Sequence, residues 1–423
     1  MTFACRGLRR GAVAAAMAAV LLLPVTAVSA VATPRAVGPE AVSGAVTQTD
    51  PPSPTTADGD FRELTPEVRR QLDDAVQRVM KEANVPGVTV GLWTPDKGVY
   101  ERSFGVADKS TGQRMSPDLF MRIGSETKTF TVTALLQLVD QGKVDLDDPI
   151  SAYVDGVPNG DEISLRELAG MRSGLYNYSE DPDFFKALTS DPQRSFTPRQ
   201  LLDYAFKHPV LFQPNEKFSY CNTNLILLGL VVEKVAEQPL QDVIKENILD
   251  PAGMRDSFLA TNADFPEPHA QGYTNQTATG EVENSTDWDP SWGWAAGAMI
   301  STRDDLRTWA RTVATGEFPD GGAMVEPATQ KQRLETPPTG IKGAGYGLGI
   351  FDVQGWIGHN GSLPGYESLT IYLPSAEATL VVLLNTDIVH DGQEPSTLFG
   401  DAITSIVTPD HVFNLPVSPT PKK

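Results

Sequence analysis

Ser125 and Lys128 stand three residues apart in "MRIGSETKTF" (residues 121–130), where an apolar run gives way to a helical pattern. A serine close to a lysine can act as nucleophile and base if the amine is neutral enough to accept the hydroxyl proton. On a helical wheel Ser125, Lys128, Val132, Leu135, Leu136 and Val139 share one side, while Glu126, Thr129, Thr133, Gln137 and Asp140 form the main polar stripe. Lys128 thus continues an apolar face, where desolvation lowers its pKa. The helix N-terminus disfavours an ammonium further and favours an oxyanion nearby. The bland reading of the same residues is a polar helix start, since a chain of this composition holds about one Ser-x-x-Lys by chance.

Two later stretches offer partners. In "FSYCNTN" an extended backbone puts Tyr220 and Asn222 on one face and Cys221 on the other. A phenol can relay a proton to a leaving group and an amide can hold a substrate amide. The alternative is a turn before a helix, with Asn222 or Asn224 as its cap; Cys221 reads as a packing residue either way. In "GHNGSLPGYES", Gly361 lacks a side chain, so a substrate backbone could lie along the strand, with His359 supplying a polar or cationic group beside the nucleophile. The alternative there is a hairpin turn with an exposed histidine. The remaining histidines, 208, 269, 390 and 411, form no metal-ligand set with Cys or acidic residues, so neither a metal nor another cofactor is expected.

These residues need a scaffold. The 423-residue chain is 40% hydrophobic, enough for one large core or two packed subdomains. Arg6, Arg9 and Arg10 precede "GAVAAAMAAVLLLPVTAVSA", which reads as a signal peptide cleaved after Ala30; a retained membrane anchor is the alternative. The paired arginines leave general or twin-arginine export open. Secretion without a stable membrane anchor follows. The net charge of -20 becomes -23 once three arginines leave with residues 1–30, which excludes nucleic acid as a partner. Cys5 leaves too, so Cys221 has no intramolecular disulfide partner.

Residues 31–60, rich in Pro, Thr, Ala and Asp, read as a disordered linker, 61–410 as the domain and 411–423 as a C-terminal tail. Thr65 and Pro66 suit a helix start, with Leu72, Val76 and Val79 as its apolar stripe. A hairpin around "TPDKG" follows, then helical patterns from about 126 to 295. After a capped helix at "STRDDLRTWARTVATG" come strands at "YGLGIFDV", "WIGHNG", "ESLTIYLP" and "ATLVVLLNT", and a last helix at "STLFGDAITSIV". This order predicts an α/β (α+β) fold: an antiparallel sheet flanked by helices, built from both chain ends, with an inserted mainly helical subdomain and a ligand cleft between them.

"SETK", "YCN" and "HNG", in that order, resemble the three motifs of penicillin-recognising serine hydrolases. The branch most similar is the class C β-lactamase-like group that includes secreted D-alanyl-D-alanine carboxypeptidases. "GVADKSTGQRM", "LLQLVDQGKVDLDDPI", "MRSGLYNY" and "YGLGI" agree, so the resemblance runs over roughly 65–405. It implies Ser125 as the acylated nucleophile, Lys128 as its base, Tyr220 as the proton relay and Asn222 as a substrate-amide ligand. It also implies an oxyanion hole from the N–H groups of Ser125 and Ser362, and Trp292 lining the cleft, with core packing as the alternative for Trp292.

His359 stands where most β-lactamases have Lys. Asn360 replaces the usual Thr or Ser, and the position of the carboxypeptidase's carboxylate-binding Arg falls near Phe351. The resemblance therefore implies a secreted, monomeric serine hydrolase acting on a small-molecule or peptide substrate, with D-alanyl-D-alanine carboxypeptidase as the first activity. An esterase or β-lactamase is the alternative, an esterase or amidase acting on another small acyl substrate fits the same machinery, and a non-catalytic cell-wall peptide binder is the rival of another class.

Overall fold

Thr65 and Pro66 open the first helix of the described residues, 61–415 of a computed structural model. The Thr65 hydroxyl accepts from Val68 N, Pro66 takes the first helical position, and α1 (Pro66–Glu82) buries Val68, Leu72, Val76 and Val79. The signal peptide at 1–30, the linker at 31–60 and residues 416–423 of the expected tail lie outside the described residues. The start of that tail belongs to the domain instead. Phe413 is buried against Gly400 and Leu369, and His411 O accepts from Trp356 Nε1 at 2.7 Å, so the apolar packing carries the boundary from 410 to Leu415.

The hairpin forms as β1 (Gly87–Thr94) and β2 (Gly98–Gly105). The C-terminal third supplies β3 (Ala344–Tyr346), β4 (Phe351–Val353), β5 (Trp356–Leu363), β6 (Tyr366–Leu373) and β7 (Ala378–Leu384). They join in the order β2-β1-β7-β6-β5-β4-β3, every neighbour antiparallel, so strands from the two chain ends pair inside the sheet, with Val88 of β1 opposite Leu384 of β7. "YGLGIFDV" is two strands, because Gly347–Ile350 leaves the sheet and Gly349 N donates to Ala169 O at 3.0 Å.

Helices cover both faces. Leu369 of β6 lies near Gly400 in α5 (Pro395–Val407), whereas Tyr372, an odd number of positions on, packs on Ala310 and Ala314 of α4 (Arg303–Thr315). That is why every residue of β6 and β7 is buried.

The middle of the chain is mainly helical, with α2 (Thr127–Asp140), Leu165–Ala169, Pro198–Phe206 and α3 (Asn222–Ala236). It also holds two-residue strands at Phe258–Leu259, Tyr273–Thr274 and Glu283–Asn284, too short to show a period in sequence. The fold is thus the expected one: an antiparallel sheet from both chain ends with an inserted, mainly helical subdomain.

The first half of α2 has no solvent face. Thr127 to Leu136 are all buried, and the two threonines of the polar stripe in that span, Thr129 and Thr133, are hydrogen-bonded inside the protein. Trp309 Nε1 donates to Thr129 Oγ1 at 2.8 Å, and Arg333 donates to Thr129 O at 2.9 Å and Thr133 Oγ1 at 2.7 Å. Such bonding is what lets a polar face be buried at all.

Candidate active site

The turn that bears Ser125 joins a two-residue strand, Met121–Arg122, to α2 through one turn of 3-10 helix, Gly124–Glu126. Gly124 has φ +52°, a left-handed conformation that glycine adopts without steric cost. The turn is held from three directions: Ile123 N donates to Met299 O at 3.0 Å, Ser368 Oγ of β6 donates to Ile123 O at 2.9 Å, and β5 lies alongside. At Gly361 the approach is closest. A Cβ there would come within 1.9 Å of Ile123 O, so only glycine lets β5 pass. The same approach brings Ser362 N to Gly124, beside the Ser125 N–H. These are the two N–H groups that the resemblance implies for an oxyanion hole, and the first lies at a helix start, where early N–H groups lack intrahelical acceptors.

Lys128 is completely buried. Its Nζ lies 2.8 Å from Ser125 Oγ and donates to Ala296 O at 2.7 Å, and among the described residues no carboxylate forms an ion pair with it. Burial holds its pKa well below the ordinary lysine value. A neutral amine in contact with a serine hydroxyl is a base in position. Nζ also stands 4.9 Å from the centre of the Tyr220 ring.

Tyr220 and Asn222 both reach the cleft at Ser125, while Cys221 is turned away and buried, its thiol 3.5 Å from Leu175 O. Burial raises the Tyr220 phenol above its usual range, with nearby Ser125 opposing the shift; its hydroxyl has no hydrogen-bond partner among the described residues. A protonated phenol with nothing else to bond to is available to a reacting group. Neither asparagine caps α3: Cys221 is the N-cap residue and makes no side-chain cap bond. Asn222 Nδ2 donates to Ser179 Oγ at 3.0 Å, and buried Asn224 bridges Ser173 Oγ at 2.7 Å and Leu168 O at 3.0 Å. The first asparagine thus faces the cleft and the second ties α3 to the preceding helices.

His359 sits in β5 with 3% of its surface exposed, not at an exposed turn. Nδ1–H donates to Asn360 O and Nε2 lies 3.3 Å from Tyr346 Oη, a hydroxyl from which a neutral ring accepts. Burial first, then the Lys128 charge, push its pKa down to about 3. Of the two roles left open for it, polar or cationic, this environment fits the polar one. Asn360 lines the cleft instead, its Nδ2 donating to Glu394 Oε2 at 2.8 Å.

Ser125, Asn222 and Ser362 lie between two depressions. One, of about 330 Å³, adds Tyr220, Asn360 and Glu394 to apolar walls that include Phe351. The other, of about 200 Å³, is aromatic, with Trp292, Tyr178 and Phe184. Trp292 is therefore at the cleft and in the packing at once: its ring centre is 6.1 Å from that of Phe184, and its carbonyl accepts from Tyr178 Oη at 2.5 Å. A larger open groove between Trp93 and Arg311, of about 660 Å³, contains none of these groups.

Two acids here had no distinguishing sequence signal. Glu394 precedes Pro395 and resembles an ordinary charge at a helix start, yet it makes no cap bond and turns into the cleft. Glu126 reads as part of a polar stripe, but it is 1% exposed, neither carboxyl oxygen has a hydrogen-bond partner among the described residues, and burial raises its pKa to about 8.

Comparison with known proteins gives this arrangement its relatives. The family described as Beta-lactamase matches residues 72–398. A D-aminopeptidase of Brucella anthropi is 29% identical over 328 residues, 74% of this chain and 59% of the relative. The chain spans 59% to 64% of the length of that protein and of the Protein flp sequence from Staphylococcus aureus strain MW2. Among solved structures, a D-stereospecific amidohydrolase from Streptomyces sp. has a TM-score of 0.70 at 28% identity, covering 80% of this chain and 98% of that one. A D-amino acid amidase from Ochrobactrum anthropi SV3, complexed with D-phenylalanine, has a TM-score of 0.69 at 27% identity, covering 80% and 97%.

Proposed function

Because the chain belongs to the beta-lactamase family, as a serine hydrolase of the beta-lactamase and penicillin-binding-protein fold, we propose that it hydrolyses amides of D-amino acids through an acyl-enzyme on Ser125. The observation that carries the reading is Lys128, fully buried, without a carboxylate partner among the described residues, and 2.8 Å from Ser125 Oγ. Lys128 takes the Ser125 proton as Oγ attacks the substrate carbonyl. The developing oxyanion lies between the N–H groups of Ser125 and Ser362. The proton passes through Tyr220 to the departing nitrogen, the C–N bond breaks, and the acyl group stays on Ser125. Water then attacks the ester, with Lys128 taking its proton and returning one to Oγ.

The choice of D-amino acid amides is supported by the printed activities of the Brucella, Streptomyces and Ochrobactrum relatives. D-alanyl-D-alanine carboxypeptidase is the second reading, favoured by the motif resemblance. Against it, Phe351 lines the cleft where a carboxylate-binding Arg would fall, and no Lys or Arg is among the lining residues. The reading includes export, which the basic and apolar pattern of residues 1–30 supports; a mature N-terminus at Val31 in the culture medium is the check.

Intact mass after incubation with a penicillin should show one adduct on the wild-type protein and none on Ser125→Ala. Turnover is then compared for D-phenylalanine amide, an acyl-D-alanyl-D-alanine peptide, a short-chain ester and a cephalosporin. D-Phenylalanine amide should be the best substrate. Faster release of D-alanine from the peptide would favour the carboxypeptidase, and the absence of both adduct and turnover would favour a non-catalytic binder.

A further inference from the structure

We infer that the depression on the Tyr220 side of Ser125 selects leaving groups by charge, favouring an amine that carries a second, cationic nitrogen and disfavouring one with a free carboxylate, with Glu394 reading that charge. The inference rests on the acyl-enzyme reading above and goes beyond it by naming the leaving-group class.

Tyr220 lines only one of the two depressions that share Ser125, and it is the group that hands a proton to the departing nitrogen. The leaving group therefore occupies the side with Asn360 and Glu394. Its walls are otherwise apolar, from Phe218, Ile341, Phe351 and Leu415, and Glu394 is the one ionisable acid among the lining residues. The carboxyl group is fixed in place: Oε2 accepts from Asn360 Nδ2 at 2.8 Å, and no cap bond to α5 competes for the side chain.

Behind it lie two more buried acids; burial raises all three carboxyl groups above the ordinary carboxylate range, and of the three it is Glu394 that lines the cleft, where an approaching cation favours its ionised form. Glu367 is 1% exposed with Oε1 lacking a partner, and it interacts electrostatically with Glu394. Buried Asp387 adds to the repulsion on both. A substrate carboxylate entering here would have to leave water beside an acid whose ionisation it opposes, with no compensating cation on the walls. An ammonium would meet its complement in surroundings where burial amplifies the difference. Asn360 thus acts as a positioning residue for the acid that meets the ligand.

Three D-phenylalanyl amides of similar size test this. Their leaving amines are ethylenediamine, which is cationic, propylamine, which is neutral, and glycine, which is anionic. For the wild-type enzyme kcat/KM should fall by about tenfold at each step in that order, the scale of one well-placed charge interaction. Glu394→Gln should bring the two ends of the series to within about threefold, and Glu394→Lys should reverse the order. Glu394→Asp keeps the charge and should keep the sign of the preference, which covers the case in which the amide variant does not fold. Hydrolysis of the glycine compound by the wild-type enzyme as fast as the ethylenediamine compound overturns the inference, as does an unchanged ratio in Glu394→Gln. In both cases turnover through Ser125 leaves the proposed function standing. If none of the three is hydrolysed and no penicillin adduct forms, the proposed function fails and the inference with it.

Discussion

Replacing Glu126 by Gln should stabilise the protein, and the gain should grow with pH. Glu126 is fully buried at the start of α2, and its folded-state pKa is raised from 4.5 to about 8, first by burial and against the opposing influence of Ser368 and Thr370. Between those two values the folded protein keeps a proton that the unfolded chain releases. Stability rises with pH only where the unfolded state binds more protons, so here it falls as pH climbs from 4.5 to about 8. The contribution is fully present below the unfolded value and lost above the folded one.

At about 1.4 kcal/mol per pKa unit, the loss is about 3 kcal/mol at pH 7 and about 5 kcal/mol above pH 8. Gln has nearly the shape of the protonated acid and releases no proton. The difference between Glu126→Gln and wild type should therefore be small at pH 5 and approach about 3 kcal/mol at pH 7. Guanidinium unfolding of both proteins at pH 5, 6, 7 and 8 measures that difference, and other buried acids such as Glu367 and Asp387 cancel because both proteins carry them. A difference that stays flat across the series would refute the assignment of a buried, protonated Glu126.

Four further outcomes follow from the site. Lys128→Arg should lower the rate of penicillin acylation by about a thousandfold or more, because a guanidinium cannot become neutral to accept the serine proton; the time course of the mass adduct reads it. In the wild type, where burial depresses the Lys128 pKa, acylation should already have reached its plateau below the pH at which an ordinary lysine deprotonates. His359, pushed down to about 3, should contribute no titration between pH 5 and 8, so His359→Gln should scale the pH profile of kcat/KM without shifting its midpoints. Gly361→Ala, whose Cβ would meet Ile123 O at 1.9 Å, should lower both the melting temperature and kcat/KM, the latter by about a hundredfold, as β5 moves off the nucleophile turn.

The geometry of the candidate site was legible because the chemistry proposed for it needs particular residue types at short spacings. Ser125 and Lys128 meet across one helical turn, and an extended "YCN" sends Tyr220 and Asn222 into the cleft while Cys221 turns inward. The two-ended sheet was legible from strand order alone. The electrostatic surroundings were harder to see. His359 looked available as a cation because a strand pattern does not reveal that Tyr346 and Asn360 O take both ring nitrogens. Glu394 looked like a helix-start charge because its neighbour across the cleft, Asn360, is 34 residues away. The polar stripe of α2 gave no hint that Trp309 and Arg333 would enclose it. Local periodicity carries which elements form; which buried polar groups meet is decided by chain segments far apart.

The turn that bears Ser125 joins pieces of the chain synthesised at widely different times. Lys128 depends on a carbonyl 168 residues further along, and Ile123 on a hydroxyl 245 residues away. A ribosome that has completed the helical subdomain has therefore made the nucleophile and its base but neither β5 nor the β6 hydroxyl that steadies them. Contacts of such long range form late, after the cost of closing the loops between them has been met. On the proposed acyl-enzyme reading, reactivity of Ser125 toward an acylating probe should thus appear only when the final strands have docked, so the same serine would also report that the whole domain has finished folding.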